Sequence, residues 1–405
     1  MNATRLRRPA AASEAQGDDD LLPNRVRVLQ FADLVNRHDF IDTIVRNTDP
    51  GSFAMSVCTM ARPSNIEDPR YGEAGISCHE LPTATRWQYP WAAIRLASLL
   101  RRQRIDVVHA HHFDPCVIAT AATLLRPRTR LVVGRHYSDA IYLHATGWRR
   151  RAMLGIERVV NRRAGRVVVP SSRIMGLLVE GQGVPADKVA LIPYGFDAAK
   201  YERVEPATVQ GLRATLGLDG RFTIATFGRL YEDKGHRFVL AALAEVLASV
   251  PNLRYCIVGE GAQRPSLERQ VREFGLRDVV TFLGWRHDVP ELMAAVDVVV
   301  QPSVQEAFSQ SMAEALFMGR PLVIADVSGA SELVPDDSIG VIVPCRDPAA
   351  IARALIDLAG TAERRSALGG AARRHARGAF TIERAIPLYE AVYREAVDDR
   401  GWCSR

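Results

Sequence analysis

The run Val296-Asp297-Val298-Val299-Val300-Gln301-Pro302-Ser303, continued through 304–319, decides the fold and carries two acids, Glu306 and Glu314. An unbroken β-branched run that ends in Pro-Ser reads as a buried parallel strand. Residues 309–318, with Met312, Ala315 and Leu316 at helical spacing, read as a helix stopped by Gly319. Glu306 then falls in the strand-to-helix loop, and Glu314 lies more than one turn into the helix. Their separation spans about 12 Å if wholly helical, whereas carboxylates that share one glycosidic bond as acid and base stand roughly 5 to 9.5 Å apart. The spacing argues against a hydrolase pair. It fits two carboxylates gripping the two ends of one long ligand, with the helix N-terminal amides of Gln310 and Ser311 aimed at an anion between them. A nucleoside diphosphate sugar has that shape.

Outward from this stretch the chain alternates strand and helix. In the first half, strands are predicted at 26–31, 53–59, 76–81, 106–109, 131–134, 166–169 and 189–192, with helices at 91–102, 115–125 and 148–162. In the second half, strands are predicted at 222–227, 254–258, 279–283, 296–301, 321–325 and 340–343, and 208–220 reads as a polar connection into them. Strands separated by helices make an α/β protein of two mostly parallel, doubly wound sheets, with ligands at the carboxyl ends of the strands. The expected division is a disordered tail over 1–24, a first Rossmann-like domain over 25–205, a second over 206–379, and a terminal helical segment over 380–405.

Two strand ends of the first half carry histidines, Val108-His109-Ala110-His111-His112 and Gly134-Arg135-His136-Tyr137. Strand alternation puts His109 and His111 on one side and His112 on the other, with no acidic third ligand, so no metal site is expected. The six cysteines show neither CxxC nor zinc spacing and read as reduced, mostly buried thiols. No run approaches the length of a membrane span, and 1–24 lacks the apolar stretch of a signal peptide, so a cytoplasmic protein is expected.

The net charge of +6 is unevenly spread. Between Thr83 and Arg166 there are 16 arginines against Asp106, Asp114, Asp139 and Glu157, a balance of +12. Nucleic acid is not the expected partner, because no aromatic platform, helix-turn-helix or zinc spacing accompanies the charge. An anionic membrane surface fits better: the helix at 91–102 mixes Arg95, Arg101 and Arg102 with Trp91, Ile94, Leu96, Leu99 and Leu100, and the helix at 148–162 mixes Arg149, Arg150, Arg151, Arg158 and Arg162 with Trp148, Met153, Leu154, Ile156, Val159 and Val160. The competing reading is apolar faces packed on the sheet with the arginines merely solvated. Only Lys188, Lys200 and Lys234 are lysines. In so arginine-rich a chain, Lys234 between Gly228 and the rest of its loop suggests that a compact ammonium is wanted beside phosphate.

Glu306 and Glu314 together resemble the Glu-x7-Glu signature of the family-four retaining glycosyltransferases, whose fold is GT-B: two Rossmann-like domains facing across a cleft. Further matching pieces are Gly228-Arg229-Leu230 with Lys234-Gly235, Val258-Gly259-Glu260-Gly261, Phe282-Leu283-Gly284, Gln301-Pro302-Ser303, Glu306-Ala307-Phe308 and Gly319-Arg320-Pro321, in the family's order across roughly 222–350. The resemblance implies a retaining, metal-independent transferase that takes its sugar from a nucleotide diphosphate donor. Arg229 and Lys234 would neutralise the diphosphate, Glu306 would meet the sugar hydroxyls, Glu314 the ribose, and His136 would reach the donor sugar. Gly228, Phe308, Ser309, Gln310 and Ser311 complete the implied donor site, which leaves Glu306, His136, Arg229 and Lys234 as the catalytic set. Ser309 stands where relatives usually have glycine, so its side chain would narrow the sugar pocket. Pro193-Tyr194-Gly195-Phe196-Asp197 resembles the family's turn at the end of the first domain, with Gly195 expected at an unusual backbone angle. The loop after the first strand lacks the glycine pair of many relatives, leaving Asn36, Arg37, His38 and His109 as candidates for the acceptor. A glycan or lipid-linked acceptor in bacterial cell-surface synthesis is expected, at the inner face of the membrane. A nucleotide-sugar epimerase of the same fold, a non-catalytic glycan-binding relative and a phosphorylase are the alternatives.

Overall fold

The computed structural model describes residues 25–33, 39–60, 71, 75–136 and 146–398. The expected tail 1–24, the acceptor candidates Asn36, Arg37 and His38, and the last residues of the chain lie outside them. Seven parallel strands form the first sheet: β1 (Val26–Ala32), β2 (Phe53–Thr59), β3 (Ser77–Glu80), β4 (Val107–His111), β5 (Arg130–Gly134), β6 (Arg166–Val169) and β7 (Val189–Leu191), in the order β3-β2-β1-β4-β5-β6-β7. Six form the second: β8 (Thr223–Phe227), β9 (Arg254–Val258), β10 (Val280–Gly284), β11 (Val298–Gln301), β12 (Leu322–Ala325) and β13 (Gly340–Val343), in the order β10-β9-β8-β11-β12-β13. The order reverses between β1 and β4 in one sheet and between β8 and β11 in the other. At such a switch point the adjoining loops diverge to opposite faces and open a crevice at the strand carboxyl ends.

Alternation along β1 shows how the layers are built. Leu29 and Phe31 face the helices Tyr89–Arg102 and Phe113–Leu125, while Val28, Gln30 and Ala32 face the opposite layer. That layer includes Ile382–Asp398, the last helix among the described residues, which lays Tyr389 and Tyr393 over β1, β4 and β5. The preceding helix, Ala362–Ala379, packs instead on Gln310–Phe317 of the second domain. The chain returns to the first domain between these two helices. There it meets its own outward crossing: Phe196 N donates to Phe380 O at 2.8 Å and Ile382 N to Phe196 O at 3.2 Å.

Two expectations are corrected here. The span 208–220 is not a loop throughout, because Pro206–Thr215 is a helix with Pro206 in its first turn, packed on Val289–Ala295. Its few apolar residues and Gly211 hide a helix that is stabilised by this tertiary contact. Gly195 does not hold a positive φ. Glycine is needed there for close approach, since a Cβ would lie 2.8 Å from Ala385 Cβ and 3.1 Å from Ile382 Cα of the returning helix.

Candidate active site

The second-domain half of the site forms where the loops after β8 and β11 meet. Gly235 closes the first loop in the left-handed region, at φ +67°, and a Cβ on it would stand 2.0 Å from Pro302 O in the second loop. This contact of backbone on backbone delivers Lys234 to Glu306, with Nζ to Oε1 at 2.6 Å, and leaves the two side chains only 14% and 9% exposed. Ser303 Oγ donates to the same oxygen at 2.9 Å, and Gln301 Nε2 reaches it at 3.3 Å and Ser303 Oγ at 2.8 Å. All three donors converge on a single oxygen of Glu306, Oε1.

Around this cluster the other expected donor residues take different positions. Gly228 leads from β8 into the exposed Arg229, whose guanidinium lies 5.1 Å from the ring centre of Tyr231. Gln310 and Ser311 open the helix Gln310–Phe317, and Ser311 Oγ donates to Phe227 O at 3.1 Å, tying the helix N-terminus to the end of β8. Ser309 is buried, with its hydroxyl 3.4 Å from that of Ser311. Phe308 is buried too, edge-on to Tyr194 at 5.4 Å and to Phe380 at 5.5 Å between centroids. Glu314 has partners of its own: Oε1 accepts from Tyr201 at 3.0 Å and faces Lys200 Nζ at 3.8 Å, both on the connecting helix Ala198–Glu202. Glu314 is thus held from the connecting helix, and Glu306 from the loops after β8 and β11.

The first-domain half lies at the ends of β4 and β5. His136, half-buried, has Nε2 2.8 Å from His111 Nδ1 and Nδ1 2.9 Å from the hydroxyl of Tyr194. Its ring stacks on Tyr194 at 5.6 Å and tilts over Phe40 at 4.1 Å. His109, expected at the acceptor, is instead fully buried. Its Nδ1 is 2.9 Å from the Tyr393 hydroxyl, and burial pushes its pKa down to about 3, so it stays neutral and does not open to the cleft. Among the described residues, no three His, Cys, Asp or Glu side chains are arranged to hold a metal ion.

Tyr194 joins the halves. Burial first, then the negative influence of Tyr389 and Glu306, pushes its phenol well above the ordinary range. It therefore remains a neutral hydroxyl between His136 and the Glu306 side of the crevice. Sequence reasoning saw Tyr194 only as part of a turn and did not single out Gln30, His111, Tyr393 or Ser303 as site residues. Gln301-Pro302-Ser303 was a visible signal for the last of these.

The basic helices of the first domain leave their aromatic residues outside. Trp91 is 70% and Trp148 74% exposed, Ile94, Ile156 and Val159 are exposed beside them, and the helix Gly147–Arg163 buries Glu157, Val160 and Asn161. No described helix is long and apolar enough to cross a membrane.

Comparison with known proteins agrees with this architecture. Residues 221–361 match the family Glycosyl transferases group 1, and residues 48–200 match Glycosyltransferase Family 4. A D-inositol 3-phosphate glycosyltransferase from Geodermatophilus obscurus is 30% identical over 359 residues, covering 82% of this chain and 75% of that protein. The alpha-D-kanosaminyltransferase of Streptomyces kanamyceticus is 31% identical over 261 residues, covering 62% of this chain and 67% of that protein. Among solved structures, Anabaena HepE in complex with UDP superposes with a TM-score of 0.80 at 21% identity, covering 91% of this chain and 100% of that one. The chain belongs to the group 1, family-four glycosyltransferases, and its two parallel-sheet domains are the GT-B fold.

Proposed function

We propose that the protein moves a sugar from a nucleoside diphosphate donor to a glycan or lipid-linked acceptor, keeping the anomeric configuration and using no metal ion. The observation that carries this reading is the Lys234–Glu306 pair, held by Ser303 and Gln301 at the crevice between β8 and β11. Arg229, Lys234 and the amides of Gln310 and Ser311 supply positive charge for a leaving diphosphate, the role a divalent ion would otherwise take. Solved neighbours were captured with UDP and with UDP-glucose, which supports a nucleotide sugar as donor. An inverting transferase needs a free general base for the acceptor hydroxyl. Here Glu306 is paired to Lys234 and both nitrogens of His136 are hydrogen-bonded, which favours retention.

With a donor and acceptor in hand, proton NMR of the product is expected to show the donor's anomeric configuration, and EDTA is expected to leave the rate unchanged. Inversion, or activity lost to EDTA and restored by Mg²⁺ or Mn²⁺, overturns that part of the reading. Release of free nucleotide only when acceptor is present separates a transferase from an epimerase.

The acceptor is presented at an anionic membrane on the inner face of the cell, on the way to a cell-surface glycan or glycolipid. Exposed Trp91 and Trp148 beside Arg95, Arg149, Arg150 and Arg151 support this, since tryptophan favours the interface and each basic charge near it contributes about 1 kcal/mol. Neutralising Arg149, Arg150 and Arg151 together is therefore expected to weaken binding to anionic liposomes about a hundredfold. Co-sedimentation checks this, and recovery should fall as salt screens the charge. Equal recovery with neutral and anionic vesicles returns the arginines to the role of solvated surface.

A further inference from the structure

A single file of hydrogen bonds runs under the first sheet from the cleft to the last helix. Tyr194 is 2.9 Å from His136, His136 2.8 Å from His111, His111 2.7 Å from Gln30 Oε1, and Gln30 Nε2 2.8 Å from the Tyr393 hydroxyl. The file ends on His109, 2.9 Å from that same hydroxyl. Its residues come from adjacent strands, for Gln30 pairs with His109 across β1 and β4, and His111 with Gly134 across β4 and β5. Gly134 leaves the room they need: a Cβ there would stand 2.5 Å from His136 Nε2, 2.6 Å from His111 Nδ1 and 3.0 Å from His109 Nε2.

Gln30 is placed with Oε1 toward His111 and Nε2 toward Tyr393, and that placement gives the file its direction. Oε1 must accept, which puts a proton on His111 Nε2 and leaves His111 Nδ1 bare. That bare nitrogen accepts from His136 Nε2–H, and His136 Nδ1 in turn accepts from the Tyr194 hydroxyl. On the other side Gln30 Nε2 donates to the Tyr393 oxygen, and the Tyr393 hydroxyl donates to His109 Nδ1. His109 then carries its own proton on Nε2, which is buried and has no hydrogen-bond partner among the described residues. A second proton on His111 would set N–H against N–H, and one on His136 Nδ1 would reverse the bond to Tyr194, whose hydroxyl would then accept.

We propose that His136 serves the transfer reaction as a neutral imidazole whose tautomer is set from the C-terminal helix, by Tyr393 through Gln30 and His111. These three are positioning residues, and the inference rests on the reading of the site above. Neutrality matters because glycosyl transfer passes through an oxocarbenium-like state, and a cationic imidazole beside a ring gaining positive charge would oppose it. Among the described residues, the titratable groups packed around His136 are His111, His112, His109 and Tyr194, with Tyr389 and Glu306 beyond Tyr194 and the buried Arg135–Glu157 pair beside the strand end. Burial keeps His109 uncharged, and Arg135 and Glu157 pair at 3.1 Å. The file itself carries no formal charge.

Gln30→Glu keeps the shape and adds a carboxylate against His111 Nε2 and the Tyr393 hydroxyl. A negative charge there favours a second proton on the His111–His136 pair, so the neutral, active form is reached only at higher pH. The expected result is an acid limb moved to the alkaline side by about one unit, so that kcat falls about tenfold below wild type on the acid side of both limbs and recovers as pH rises, with little change in donor KM. Tyr393→Phe removes the acceptor that orients Gln30. It is expected to lower kcat several-fold and to turn the ¹⁵N ring signals of His136, which report one tautomer in the wild type, into those of a mixture. His136→Ala, assayed alongside, tests the underlying reading: unchanged transfer removes His136 from the reaction. If His136→Ala abolishes transfer while folded Gln30→Glu and Tyr393→Phe leave the acid limb and the His136 ¹⁵N signals where they were, the relay is overturned and the site reading stands.

Discussion

Replacing Lys234 by alanine is expected to lower the transfer rate by about 10² to 10³, the range found when one preorganised donor is removed from a developing anion. Lys234 sits on the short helical turn Glu232–Lys234, which Gly235 ends, and its ammonium is held at 2.6 Å from Glu306 beneath little solvent. Two things are lost together in the variant: a cation for the leaving diphosphate, and the partner that fixes the Glu306 carboxylate through Oε1. Lys234→Arg is expected to restore only part of the rate, because a planar guanidinium does not replace a compact ammonium in a space set by the Gly235–Pro302 contact. Steady-state rates on the purified variants check this, with circular dichroism to show that the fold is kept. An alanine variant within threefold of wild type removes Lys234 from the chemistry.

Gly235→Ala is expected to be the more damaging change for stability. A side chain at φ +67° costs about 1–2 kcal/mol through its own backbone. The added Cβ, 2.0 Å from Pro302 O, forces two loops apart at about 1–3 kcal/mol more. Together these correspond to a Tm lower by roughly 5–15 °C, and transfer falls with it because Lys234 no longer reaches Glu306. Gly220→Ala is the control: its φ is +68°, but nothing lies within 4 Å of the added atom, so only the backbone cost applies. Thermal unfolding followed by fluorescence decides the matter, and equal Tm losses for the two variants would show that the Gly235–Pro302 contact has no structural weight.

The contrast between local and long-range features explains what the sequence could reveal. The stretch from Val298 to Phe317 was legible because a buried strand and a short helix follow each other with different periods, and glycines mark the loops that face them. The four-residue strand β6 and the five-residue β9 were readable to the residue for the same reason. By contrast, the hydrogen bond from Gln30 to Tyr393 spans 363 residues of chain, and no local pattern marks either end as a partner. His109 and His111 could be placed on one face of β4 by alternation. That the last helix covers this face, making His109 a buried link and not a cleft residue, depended on tertiary packing. The basic helices show the same limit, because their mixed composition was plain while the exposure of Trp91 and Trp148 depended on which face the sheet covered. Pro206–Thr215 was missed since its stabilising neighbour, Val289–Ala295, is far along the chain.

The pairing of Phe196 with Phe380 and Ile382 makes the second domain a cassette set into the first. Everything between the two crossings enters and leaves through adjacent points on the first domain, with its start and finish two backbone hydrogen bonds apart. Chain ends that close can be rejoined or exchanged at little topological cost. A lineage could therefore exchange 197–380 as one block, with the arginine-rich helices, the histidine file and the last helix left in place.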